Sequence, residues 1–154
     1  MSQLPFDMDI AVQCDDWTKH LPNIEAIAAQ SVAQVLTVLD EPQLGELSIA
    51  LVNDADIQIL NREYRHKDKP TNVLSFPQDG PLLGDIVLAL ETITREAKEK
   101  SISFEHHTAH LIIHGFLHLQ GYDHQSEATA AEMEAIEIAA LAALNIDNPY
   151  EIHD

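Results

Sequence analysis

The sequence predicts an α+β fold, a mixed and mostly parallel sheet of about four strands with one antiparallel strand, packed by about five helices. Short stretches with period-two alternation of apolar residues are interspersed with longer stretches at helical spacing. Two of the short stretches, around Phe76 and Val87, are joined by a loop too short for a parallel crossover, so they should pair antiparallel. The 154 residues show no internal repeat, low-complexity tract or long linker, so residues 1–154 are expected to form one domain. A chain of this size buries roughly 68–70 % of its unfolded surface, enough for a core without disulfides.

Ile10 and Val12 flank Ala11 in an alternating segment that reads as the first strand. Pro22 precedes a helix whose Ile24, Ile27, Val32, Val35, Leu36 and Leu39 lie near one face, and Pro42 and Gly45 stop it. Leu47, Ile49 and Leu51 alternate as in a strand with one buried face. Asp54 is expected to cap a helix running to about Tyr64. After Pro70, the β-rich run Val73-Leu74-Ser75-Phe76 ends at Pro77, and Gly80, Pro81 and Gly84 suggest a loop before a strand over Asp85–Leu90. Three more helices are predicted, at Thr92–Lys100, about Phe104–Leu119, and Ser126–Leu144, the last capped by Ser126. Residues 145–154 read as a tail.

Eight Lys and Arg against 26 Asp and Glu give a net charge of −18. Such a field repels polyanions, which argues against DNA coating and requires any nucleic-acid contact to use a local basic patch. Cys14 is the only cysteine, so no intramolecular disulfide can form. The first residues are acidic rather than a basic segment leading into an apolar one, and no run reaches the 18 or so apolar residues of a membrane helix. A cytoplasmic protein without a membrane partner is the expectation.

Six of nine histidines fall between His106 and His124. His110, His114 and His118 recur every four residues and project from one helix face. Gly121 allows the helix to end in a left-handed turn that returns His124 toward the same point. Two imidazoles one turn apart plus a third beyond a turn make a three-nitrogen face with a fourth position open, the pattern of a catalytic metal site. A lone histidine is more often a hydrogen-bonded core residue, but three around a turn glycine favour the metal. His110 has no place in a three-ligand set and is expected in the core or orienting a neighbour, while Asp123 beside His124 reads equally as a hydrogen-bond partner of a ligand imidazole or as an exposed loop acid. His106 and His107 are expected to be solvated. The metzincin spacing of histidines and glycine is matched, yet Gly115 stands where a metalloprotease has its general-base glutamate, which weakens a peptidase reading.

Four of the eight cations, Arg62, Arg65, Lys67 and Lys69, lie within eight residues. A helix C-terminus commonly carries such charge, which accounts for Arg62 and Arg65 better than for the whole cluster. An arginine fork can donate two hydrogen bonds to phosphate oxygens, and a divalent metal can acidify water, so cations beside a metal site suit phosphodiester hydrolysis.

The segment His114-Gly115-Phe116-Leu117-His118-Leu119-Gln120-Gly121-Tyr122-Asp123-His124 resembles the YbeY family of bacterial endoribonucleases. The resemblance extends to Leu60-Asn61-Arg62-Glu63-Tyr64-Arg65, to Lys69-Pro70-Thr71-Asn72-Val73-Leu74-Ser75-Phe76-Pro77, to Gly84-Asp85-Ile86 and to Asn148-Pro149-Tyr150. It implies one zinc per chain held by His114, His118 and His124, with nickel as another divalent candidate, and a catalytic arginine at Arg65. It further implies cleavage of single-stranded RNA in 3′-end maturation of 16S ribosomal RNA and in ribosome quality control. The partners implied are the small ribosomal subunit and ribosomal or GTPase assembly factors. Arg62, Lys67 and Lys69 are then candidate RNA contacts, while Ser75, Asp85 and the stacking potential of Phe76 and Tyr122 stay open. The alternatives are a non-catalytic ribosome-assembly factor with a structural metal, and a metal-dependent hydrolase of another substrate.

Overall fold

The computed structural model describes residues 4–150, which form β1 (Met8–Val12), α1 (Asp16–His20), α2 (Ile24–Val38), β2 (Glu46–Val52), α3 (Asp54–Arg65), β3 (Val73–Pro77), β4 (Leu82–Ala89), α4 (Leu90–Lys100), α5 (Phe104–Leu119) and α6 (Glu127–Ala143). The sheet order is β1-β2-β4-β3. β1, β2 and β4 run parallel, and β3 pairs antiparallel with β4, in agreement with the mixed sheet expected from the short connection at Gly80.

Alternation in β2 and β4 divides the core between two faces. Leu47, Ile49 and Leu51 of β2 and Ile86 and Leu88 of β4 pack against α2, α5 and α6 through Val32, Val35, Ile112, Phe116 and Met133. On the other face Val52, Leu74, Val87 and Ala89 meet Ile57 of α3. Helix α5 contacts β3, β4, α2, α4 and α6, which explains why it is apolar around most of its circumference. Gly115 permits the close seating of α5 on the sheet. A Cβ there would lie 3.0 Å from the Ser75 hydroxyl and 3.1 Å from Ile86 Cγ2. The Ser75 hydroxyl donates to the Gly115 carbonyl at 3.1 Å instead.

Several local expectations are corrected. The described residues form six helices, the additional one being α1, which has only five residues and a single buried side chain, Trp17. Its indole N–H donates to the Val52 carbonyl, a tertiary contact with no periodic signature. Asn53 rather than Asp54 caps α3, its side chain accepting from the Asp56 N–H at 2.8 Å, whereas Asp54 accepts from the Thr92 N–H and hydroxyl and ties α3 to α4. β4 starts at Leu82, because Leu82 and Gly84 continue the ladder to β2 and Gly84 that to β3. Ser126 does cap α6, in a reciprocal capping box with Thr129. His107 is fully buried and bonded to Glu96 at 2.9 Å rather than solvated. Of the segment read as a tail, residues 145–150 are described and anchored: the Ile146 N–H donates to the Leu141 carbonyl and Tyr150 reaches the interior of α6, while residues 151–154 lie outside the described residues.

Candidate metal centre

His114 and His118 sit one turn apart near the C-terminal end of α5. The helix closes with Gly121 at φ +98°, where the Tyr122 N–H donates to the Leu117 carbonyl, and the chain doubles back to place His124 over the same spot. The His114 and His124 rings are nearly parallel with centroids 4.7 Å apart, and His118 and His124 stand at 5.2 Å. One ring nitrogen from each of the three lies within 4.8 Å of the other two.

The partners of the outer nitrogens fix which atoms face inward. His114 Nδ1 stands 2.8 Å from Glu137 Oε2, and His118 Nδ1 stands 3.0 Å from the Tyr122 carbonyl oxygen. Both are acceptors, so both Nδ1 atoms carry hydrogen and both Nε2 atoms present lone pairs. These two Nε2 atoms are 3.1 Å apart. Two facing lone pairs repel unless a cation lies between them, and nitrogens around a tetrahedral zinc with bonds of 2.0–2.1 Å are about 3.3 Å apart. The donor set therefore fits a divalent metal. Burial, and then the nearby His114 and His124, lower the pKa of His118, which keeps it in the neutral form a metal needs.

Glu137 is buried in α6 and serves two histidines and a tyrosine. Its Oε2 faces His114, and its Oε1 accepts from His110 Nε2 at 2.9 Å and from the Tyr150 hydroxyl. Burial alone would raise this carboxyl, but the bonds from His110, His114 and Tyr150 outweigh it and hold it well below the usual carboxylate range. Burial and Glu137 together hold the Tyr150 phenol above its ordinary value. A fixed anion behind His114 makes that ring a better metal ligand and locks its tautomer.

The three histidines share a cleft of about 530 Å³ with Arg65, Ser75 and Asp123. Arg65, the last residue of α3, donates from Nη2 to the Ser75 carbonyl at 2.7 Å and places its guanidinium 5.1 Å from the centre of the Phe76 ring. Arg62, Lys67 and Lys69 do not line the cleft; they are exposed at the end of α3 and in the turn beyond it. Arg62 lies 3.9 Å from Asp68. Asp123 accepts from the Gln125 N–H rather than from a histidine ring, and that bond lowers its pKa. Asp85 accepts from the Gln78 side chain.

Sequence reasoning missed Glu137 and Tyr150. The available signal was an acid at the centre of the stripe Met133, Glu137, Ala140, Leu141, since a carboxylate inside an apolar face demands partners.

A profile of the family described as Endoribonuclease YbeY matches residues 11–145. Proteins named Endoribonuclease YbeY from Paramagnetospirillum magneticum, Sphingopyxis alaskensis and Erythrobacter litoralis are 45 %, 47 % and 46 % identical. The alignments cover 94 %, 90 % and 93 % of this chain and 95 %, 90 % and 98 % of those relatives. The solution structure of a Thermotoga maritima protein superposes with a TM-score of 0.56 at 22 % identity, covering 91 % of each chain, and so shares the fold. With its histidine cluster, fold and near-full-length relatives in agreement, the chain belongs to the Endoribonuclease YbeY family.

Proposed function

We propose that this chain is a metal-dependent endoribonuclease that cuts single-stranded RNA, acting in 3′-end maturation of 16S ribosomal RNA and in ribosome quality control. The observation that carries the proposal is the convergence of three imidazole nitrogens in a cleft that Arg65 also lines. Membership of a family named for endoribonuclease activity supports RNA as substrate.

His114, His118 and His124 would hold the metal, with zinc first by the chemistry of three neutral imidazoles and an open fourth position, and nickel as the alternative. A divalent metal bound there supplies Lewis acidity, polarising a phosphate oxygen and lowering the pKa of water. Glu137 holds His114 with its lone pair inward, and the Tyr122 carbonyl does the same for His118. Arg65 lines the same cleft, where its guanidinium can donate to the non-bridging oxygens as charge accumulates on the phosphorus centre. Its bond to the Ser75 carbonyl sets the fork before substrate arrives. Arg62, Lys67 and Lys69 extend positive charge outward along the flanking backbone of the RNA. We further take the chain to be a single domain working in the cytoplasm on the small ribosomal subunit, with ribosomal or GTPase assembly factors as protein partners.

Single-stranded RNA cleavage by wild type, His114→Ala and Arg65→Ala, with metal content measured on each, tests the proposal. Activity should be lost in both variants and metal only in the first. A wild type that holds metal and cleaves nothing, with or without ribosomal subunits, would support the assembly-factor alternative. Product termini separate attack by water from attack by the ribose 2′-hydroxyl, which leaves a cyclic phosphate.

A further inference from the structure

We propose that Tyr64, braced by Phe76 and Arg65, is a stacking site for one nucleobase of a single strand whose neighbouring phosphate enters the histidine cleft; this rests on the reading of the chain as a ribonuclease. Tyr64 is 60 % exposed, the most exposed large hydrophobic side chain among the described residues. Its hydroxyl has no hydrogen-bond partner among the described residues, and its ring makes one aromatic contact, with Phe76, at 5.3 Å and 64°. Phe76 is half-buried at the free edge of the sheet and is also covered by the Arg65 guanidinium at 5.1 Å. The three side chains thus form a braced unit in which the Tyr64 ring is held from one side and left open to solvent. Phe76 packs on the α3 side of the edge strand and neither it nor Tyr64 lines the cleft, so Arg65, which belongs to this unit and also lines the cleft, is the link between the platform and the histidines around that sheet edge.

The charge around the platform matches a polyanion. Residues 62–69 carry four cations against only Glu63 and Asp68 in a chain of net charge −18. Among the described residues neither Lys67 nor Lys69 has an ion-pair partner. Aromatic rings that take bases beside cations that follow phosphates are the means by which proteins hold single strands, and any base presents a π-face. A base inside a duplex is already stacked on its neighbours and cannot reach Tyr64, so the site selects unpaired RNA without reading its sequence.

Steady-state cleavage of a single-stranded RNA by wild type, Tyr64→Ala and Tyr64→Phe tests this, together with fluorescence of Tyr64→Trp titrated with the same RNA and with a strand abasic beside the cleavage site. Alanine should raise KM roughly 5- to 150-fold, the range of one aromatic–base stack, with the loss in KM rather than kcat, and phenylalanine should restore it. The introduced indole should be quenched by the intact strand and not by the abasic one; the native Trp17 is buried and supplies a constant background. An unchanged KM in Tyr64→Ala, or equal quenching by both strands, overturns the stacking site while leaving the nuclease reading intact. Base-dependent quenching by a protein that cleaves nothing supports the stacking site and removes the nuclease reading.

Discussion

Replacing Glu137 by glutamine keeps the shape of the side chain and changes what His114 can do. In the native protein Oε2 accepts from His114 Nδ1 at 2.8 Å, and Oε1 accepts from both His110 and Tyr150. An amide has a single acceptor oxygen, and satisfying two donors, His110 and Tyr150, is the better use of it. The NH2 group then faces His114 Nδ1, where the two hydrogens clash unless the imidazole shifts its proton to Nε2. That proton would occupy the position a metal needs. The stability cost combines a lost charge-assisted bond of about 1.5–3 kcal/mol with any donor left unpaired, for a total of about 2–5 kcal/mol. At about 2–4 °C per kcal/mol for a chain of this size, Tm should fall by about 4–20 °C. Metal affinity should fall about 10- to 100-fold, the usual effect of removing a partner behind a ligand histidine. Chelator competition for zinc, read beside thermal unfolding of the same samples, measures both quantities. A drop in Tm with zinc affinity unchanged within twofold would refute the reasoning, because it would make Glu137 a packing residue with no hold over the tautomer of His114.

Arg65→Ala should reduce kcat about 10²- to 10³-fold with Tm nearly unchanged, since the side chain is exposed, and Arg65→Lys should not restore the rate because a point charge lacks the planar fork; kinetics and calorimetry on the purified variants check both. Gly115→Glu, which places the metalloprotease glutamate into the spacing, should produce no peptidase activity and should lower Tm by more than about 6 °C, because the side chain would be forced against Ser75 and Ile86 and would bury a charge. Stability should decline on acidification below about pH 6.5: burial lowers the pKa of His107, so the unfolded chain takes up a proton there that the folded chain resists. The decline should steepen near pH 4.5 and below, since Glu96, which burial alone would raise, is lowered by its bonds to His107 and Asn72 and keeps its charge longer when folded. Denaturant midpoints across pH 4–8 measure this, and His107→Gln should flatten the upper part of the profile.

The histidine cluster was legible because its geometry is local: a four-residue repeat on one helix, a glycine that turns the chain, and a third imidazole ten residues from the first. The mixed sheet was legible for a similar reason, as the short link between β3 and β4 permits only antiparallel pairing. Glu137 and Tyr150 were not, since the first meets His114 from 23 residues away and the second closes over Glu137 from a segment whose composition resembles a tail. His107 was misjudged for the same physical reason. Beside an acid at a helix start it looks solvated, and only the packing of α4 against α5 brings Glu96 within 2.9 Å. Helix α1 depends on one tryptophan whose indole bonds to the far end of β2, a contact that no periodicity announces. Gly115 reads in sequence only as a missing catalytic acid, whereas in the fold it is the point where α5 presses on the sheet, and the histidines of that helix line one cleft with Arg65.

The most direct test is a titration of zinc into metal-stripped protein, following bound metal and single-stranded RNA cleavage in the same samples. Cleavage should rise in proportion to occupancy and saturate at one zinc per chain, with His118→Ala neither binding nor cleaving. Cleavage that persists without metal, or its absence at full occupancy, would contradict the assignment of the histidine cleft as a metal-dependent ribonuclease centre.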